Sequence, residues 1–212
     1  MTSNLDLVRE QALHYLEQKH AARERALPKS RTAIRFCANS IRAIHRHEFA
    51  NANQLLGEAG KLLREMAEDL RGHQDIFFAG FVQDAQKEFA EASTFSALAQ
   101  NQPLPLAPEL TLDWAPYLNG LGEAVGELRR YVLDQLRRDH VEESEKYLGQ
   151  MDEIYALLTT LDFPDAVTNG LRRTTDTARG ILEKTRGDLT VAVGQAQLQR
   201  SLLALQQELR KH

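Results

Sequence analysis

Cysteine occurs once in this sequence, so no internal disulfide can form and the chain suits a reducing cytoplasm. That residue, Cys37, stands at helical spacing among Ile34, Ile41 and Ile44, where it reads as a small buried hydrophobe and not as a nucleophile. Proline (six) and glycine (12) are also sparse, and long stretches of Ala, Leu, Glu, Gln and Arg run between them. Little therefore interrupts helices, and an all-α chain is expected. No apolar run approaches the ~18 residues that a membrane span needs, and the opening MTSNLDLVRE lacks the apolar core of a signal peptide. A soluble, cytoplasmic protein with no membrane partner follows as the expectation. Its 212 residues suffice for one domain of about seven helices around a real core.

Charge is present in both signs but is unevenly distributed. Between His20 and His47 there are seven Lys or Arg against one acid, Glu24; between Asp139 and Asp165 there are eight acids against one base, Lys146. Such segregation offers a basic surface to nucleic acid, or it lets the two segments meet within the fold or across a subunit interface.

In chain order, Asn4 to Ala26 reads as a first helix with a sparse apolar set at Leu7, Leu13 and Leu16. Pro28 is expected to break it, with Ser30 capping the helix that follows. Over Arg31–His47, Arg31, Arg35, Arg42 and Arg46 fall within about 60° of arc, on a different face from Ile34, Cys37, Ile41 and Ile44. That stripe reads either as a phosphate-contacting row, since guanidinium donors are planar and multidentate, or as a solvated or acid-paired face. A further amphipathic helix spans Leu55–Leu70 and ends at Gly72, and the next runs from about Asp75 to Gln100. NQPLPLAPEL is an obligatory loop. Helices over Leu112–Arg138 and Val141–Leu161 come next, and a long helix or helix pair fills Val167–His212. There Gly180, Gly187 and Gly194 recur every seven residues, either as a seam for close approach of another subunit or by coincidence.

The chemistry concentrates in two acidic sets. In DAQKEFAE, Asp84, Glu88 and Glu91 stand at i, i+4 and i+7 and share one helical stripe, beside an apolar face of Phe78, Phe81, Val82, Ala85, Phe89 and Ala92. In EAVGE, Glu123 and Glu127 stand at i, i+4. Paired carboxylates on two helices are what a bundle needs to hold a hard divalent cation, because Mg²⁺ and Mn²⁺ prefer oxygen ligands. Pairs at this spacing also occur on ordinary solvated helix faces. By periodicity Glu123 and Glu127 lie away from the apolar face of Leu118, Leu121, Val125, Leu128 and Val132, toward water or a water-filled cavity.

Four stretches together, AIRFCANSIRAIHRHEFANANQLL, GFVQDAQKEFAEA, YLNGLGEAVGELRR and LDFPDAVTNGLRRTTDTARGILEKTRGDLT, resemble the translin family, from about Thr32 to Thr190 and in family order. The resemblance implies a seven-helix, all-α fold that assembles into closed homo-oligomers, typically octamers, around a nucleic-acid-binding cavity. It also implies one of two activities. The catalytic branch of the family is a metal-dependent endoribonuclease of single-stranded RNA, whereas translin itself binds single-stranded DNA or RNA without the full acid set. In the catalytic branch an E-x-x-E pair falls on Glu88 and Glu91, and an acid-x-x-x-Glu pair on Glu123 and Glu127. The family commonly has Asp where this chain has Glu123, which is one methylene longer and keeps the charge.

The resemblance therefore makes Glu88, Glu91, Glu123 and Glu127 the expected catalytic and metal ligands, for Mg²⁺ or Mn²⁺. Arg31, Arg35, Arg42 and Arg46 would guide RNA, with Arg71 and His73 before the acid-bearing helix and Arg129 and Arg130 beside Glu127.

Overall fold

The computed structural model describes residues 4–138 and 140–210; Asp139, counted above in the acidic run, and the first three residues of the N-terminal stretch lie outside them. Among the described residues there are eight α-helices and no strand, two of the helices being single turns. They are α1 (Asn4–His45), α2 (Phe49–Asp69), α3 (Gln74–Phe77), α4 (Gly80–Ala99), α5 (Trp114–Leu136), α6 (Val141–Thr159), α7 (Asp165–Thr168) and α8 (Leu171–Leu209). The chain divides into two compact units, Met1–Gly120 and Leu121–His212, with the division inside α5. No described helix is long and apolar enough to cross a membrane.

In the first unit, α1 packs on both α2 and α4. Pro28 does not break α1, and Ser30 does not cap a new helix. An interior proline forfeits one backbone hydrogen bond and costs about 3 kcal/mol. Against that cost, a buried stripe of small residues (Ala22, Ala26, Ser30, Ala33 and Cys37) continues straight through at spacings of three and four. The Ser30 hydroxyl turns back to donate to the Leu27 carbonyl at 2.9 Å. Beside the proline, Lys29 pairs with Asp69 of α2 at 2.7 Å and with Glu65 at 3.5 Å, and Arg25 reaches Asp69 at 3.5 Å. Part of the basic segment is thus answered by acids of the same unit. The N-terminal half of α1 packs on little, and Leu7, Leu13 and Leu16 are all exposed.

The helix expected from Asp75 is split: α3 ends at Phe77, α4 starts at Gly80, and Phe78 lies exposed between them instead of on the apolar face. Val82, Ala85, Phe89 and Ala92 are buried as expected. The second half of α4 is buried on nearly every side, with Phe95 fully covered and its ring 5.1 Å from that of His45. The proline-rich segment is a loop, tied down where the Tyr117 hydroxyl donates to the Pro105 carbonyl at 2.8 Å.

In the second unit, α6 and α7 pack on α8, a single helix and not a pair. Leu121, Val125, Leu128 and Val132 of α5 are buried, as are Met151, Ile154 and Leu158 of α6 and Leu171, Leu182 and Leu189 of α8. Gly122 lets α5 and α8 meet: a Cβ there would stand 2.5 Å from Cγ2 of Thr174 and 3.2 Å from Cδ1 of Leu158. Gly180, Gly187 and Gly194, by contrast, face open space in this chain.

Candidate metal and nucleic-acid site

Glu88 and Glu91 sit one turn apart on α4, and each offers a carboxylate oxygen within 4.8 Å of the other's. Both are half-buried, while Asp84, one turn earlier on the same stripe, is exposed. The expected triad is therefore a covered pair and a solvated neighbour. Cys37 of α1 registers how close the pair lies. Burial pushes its thiol well above the ordinary range, and the negative charges of Glu88 and Glu91 push it further in the same direction. Its expected role as a buried hydrophobe stands, since it is fully covered.

The first turns of α5 explain why this segment of α4 is covered. Gly120 presses its backbone onto α4. A Cβ at that position would lie 2.4 Å from the Lys87 carbonyl oxygen, 2.7 Å from Cβ of Ala90 and 2.8 Å from the Glu91 nitrogen. Any other residue would push the two helices apart at the residues that flank Glu88. Sequence reasoning does not single out Gly120; its signal lies in the glycine spacing of NGLGEAVGE, where a residue that weakens a helix stands inside one. Glu123 follows Gly120 by three residues on α5, and Glu127 follows Glu123 by four. Both are half-buried, so they are not simply solvated.

The arginines separate into two groups. Arg31 and Arg35 on α1 and Arg130 on α5 are exposed and have no ion-pair or side-chain hydrogen-bond partner among the described residues. Arg42 is exposed and donates to Asn39 at 2.7 Å. Arg46 holds Glu48 through two hydrogen bonds of 2.7 and 2.9 Å, and this partner holds the Glu48 carboxyl below its ordinary range. Arg71 donates to Glu68 at 2.8 Å. Arg129 is turned into the second unit, where it donates to Thr185 at 3.1 Å and Asp188 at 2.7 Å and joins α5 to α8. Within the α1 stripe Arg46 is acid-paired, while Arg31, Arg35 and Arg42 stand on a solvated face. His73 is half-buried at the start of α3.

Chemically, the α4 pair is a half-buried hard-oxygen donor set, which suits Mg²⁺ or Mn²⁺ better than a soft metal. No protein-family model matches the sequence. A protein of Methanocaldococcus jannaschii, the uncharacterized MJ0175, is 34% identical over 199 residues, which span 92% of this chain and 86% of its own. The structure of AfC3PO in complex with duplex RNA is similar with a TM-score of 0.78 at 34% identity, covering 86% of this chain and 95% of that one. The crystal structure of AfC3PO gives a TM-score of 0.76. Apo-NeC3PO, at 21% identity, has the same fold with a TM-score of 0.74.

Proposed function

The chain belongs to the translin family, and on that premise we propose that it binds RNA and cleaves it as a metal-dependent endoribonuclease. The observation that carries the catalytic part is the half-buried pair Glu88 and Glu91, with α5 locked on that turn of α4 by Gly120. On the family resemblance of the E-x-x-E and acid-x-x-x-Glu pairs, Glu88, Glu91, Glu123 and Glu127 are read as one ligand set for Mg²⁺ or Mn²⁺. When bound, the ion supplies charge at the scissile phosphate and lowers the pKa of an attacking water.

The protein's own groups do the rest. Glu88 and Glu91 keep two negative charges at a fixed place on a packed helix, so the ligand set is preorganised. Arg31, Arg35 and Arg130 present guanidinium groups to which phosphates can bind without displacing an existing partner. RNA as a partner is supported by AfC3PO, which was solved with duplex RNA. Single-stranded RNA is the proposed substrate, and a closed homo-oligomer, by family resemblance typically an octamer, the proposed assembly. The exposed glycine row of α8 is open to another subunit there.

A labelled single-stranded RNA and its duplex, incubated with Mg²⁺, with Mn²⁺ and with chelator, test the proposal beside the Glu88→Ala/Glu91→Ala protein. Metal-dependent cutting of the single strand, lost in the double variant, is expected. Retarded but intact RNA in every lane would make this chain a single-stranded nucleic-acid-binding protein instead, as translin is.

A further inference from the structure

On the other side of α4 from the acid pair, a cleft of about 350 Å³ opens between α2, α4 and the proline-rich loop. Helical position separates the two sites. Phe89, Ser93 and Ser96 face the cleft, whereas around the helix Glu91 lies about 140–160° from them and Glu88 about 80–140°. The cleft exists because α2 places glycines at Gly57 and Gly60, one turn apart and facing it. A Cβ on Gly57 would meet nothing within 4 Å, and one on Gly60 would meet the tip of the Phe89 ring at 3.0 Å. Leu56 and Leu110 supply apolar walls.

Five polar residues line this space; Ser96 donates to Asn53 at 3.3 Å and Gln102 lies toward the proline-rich loop, which leaves Ser93 and Arg64. Ser93 is 8% exposed, yet its hydroxyl makes no hydrogen bond among the described residues; a helical serine would ordinarily donate to the carbonyl four residues back. Arg64, one turn after Gly60, folds back so that its Nη1 stands 3.4 Å from where a Cβ of Gly60 would be. Its acidic neighbours are engaged elsewhere: Glu65 with Lys29, Glu68 with Arg71, and Asp69 with Lys29 and Arg25. Among the described residues Arg64 has no ion-pair or hydrogen-bond partner. A guanidinium at the mouth calls for an anion, apolar walls for a flat apolar body, and an unbonded hydroxyl on the cleft wall for a polar edge on that body. The volume is at the lower end of the ~300–1,000 Å³ typical of small-molecule sites, enough for one nucleotide and not for a strand.

We propose that this cleft binds a single nucleoside 5′-monophosphate, with the phosphate on Arg64 and the base between Leu56 and Leu110, its polar edge toward Ser93. The choice of a nucleotide over other anions with a flat apolar body rests on the RNA reading above; the cleft itself does not depend on the acid quartet. The ligand is either a free nucleotide or the 5′-phosphorylated end of an RNA strand.

Calorimetric titration of the full-length protein in chelator tests it, with adenosine 5′-monophosphate, adenosine, inorganic phosphate and a short RNA with or without a 5′-phosphate as probes. Saturable binding of the monophosphate is expected, at least tenfold tighter than adenosine or phosphate alone. Arg64→Gln should erase the advantage over adenosine. Gly57→Leu, whose side chain enters open space and fills the cleft, should abolish binding with an unchanged or higher thermal midpoint. The same losses for the 5′-phosphorylated RNA, and none for its 5′-hydroxyl form, would identify a strand end as the ligand; their absence would leave the free nucleotide. Glu88→Gln/Glu91→Gln should bind the monophosphate as the wild type does, so failure of the ribonuclease reading and failure of this one give different results. Absence of saturable binding to the wild type, or binding indifferent to both Arg64→Gln and Gly57→Leu, would overturn the proposal.

Discussion

On α1, Arg31, Arg35, Arg42 and Arg46 run beside a buried stripe and all four stay largely exposed; on α4, Glu88 and Glu91 run beside one and are half-buried. In sequence the two arrangements look alike, a charged row next to an apolar row at helical period. Neighbouring elements make the difference. The outer side of α1 is bare, whereas α4 is covered by α1 at Cys37 and by the start of α5 at Gly120. Charge on the bare side can meet a partner at little cost, while charge held partly out of water stands against a desolvation penalty.

The largest expected effect falls on the covered pair. Glu88→Ala/Glu91→Ala should lower metal-dependent RNA cleavage about 100-fold or more in a gel assay, since removing even an outer-shell partner of a metal ligand costs about 10–100-fold. Equal rates for mutant and wild type would make the two charged rows alike after all.

The cover itself can be broken next. Gly120→Ala drives a Cβ into the α4 backbone and should cost about 1–3 kcal/mol in urea unfolding. Gly149→Ala on α6, where a Cβ meets nothing within 4 Å, should be neutral or gain up to ~1 kcal/mol from helix propensity. Similar values for both would show that Gly120 does not hold α5 on α4.

On the bare side, Arg31→Ala/Arg35→Ala should weaken RNA binding. The dependence of log K on log salt should fall by ~0.7 for each phosphate no longer neutralised, measured by filter binding across salt concentrations. Metal-dependent stability should not change. Cys37 sharpens the comparison from beneath. With its thiol pushed up by burial and by the acid pair, it should resist alkylation in the native protein at a pH of about 8 and react once unfolded. The folded state holds this proton more tightly than the unfolded state. Stability from this group is therefore complete below the ordinary thiol value of 9.0 and declines as the pH rises above it. The smallest effect belongs to Arg46→Ala. Its guanidinium is already occupied by Glu48 on an exposed corner, so neither RNA affinity nor the thermal midpoint should shift measurably.

Much of the fold is legible because periodicity survives burial. The apolar faces of α4 and α5, the loop at the three clustered prolines and the end of α2 at Gly72 all follow from local chemistry. Pro28 misleads because a tertiary stripe of small residues outweighs a local helix breaker, and the interruption between α3 and α4 does so because nothing in QDIFFAG breaks helical spacing. The acid positions are visible as residues, and resemblance singles them out. How deeply each is held, and which arginines are already paired, depends on contacts between segments far apart in the chain, such as Gly120 with Lys87 or Arg129 with Asp188. No local pattern encodes those contacts. The cleft at Gly57 and Arg64 is invisible in the sequence for the same reason: it is made by the approach of three segments, none of them unusual alone.

The most direct measurement is the titration of Mn²⁺ into the assembled protein by calorimetry, for the wild type, Glu88→Gln/Glu91→Gln and Glu123→Gln. If the acids of α4 and α5 form one ligand set, the wild type binds the ion, the double variant does not, and Glu123→Gln binds it at least about tenfold more weakly. Full affinity in Glu123→Gln would contradict a shared site, and full affinity in the double variant would contradict the metal centre itself.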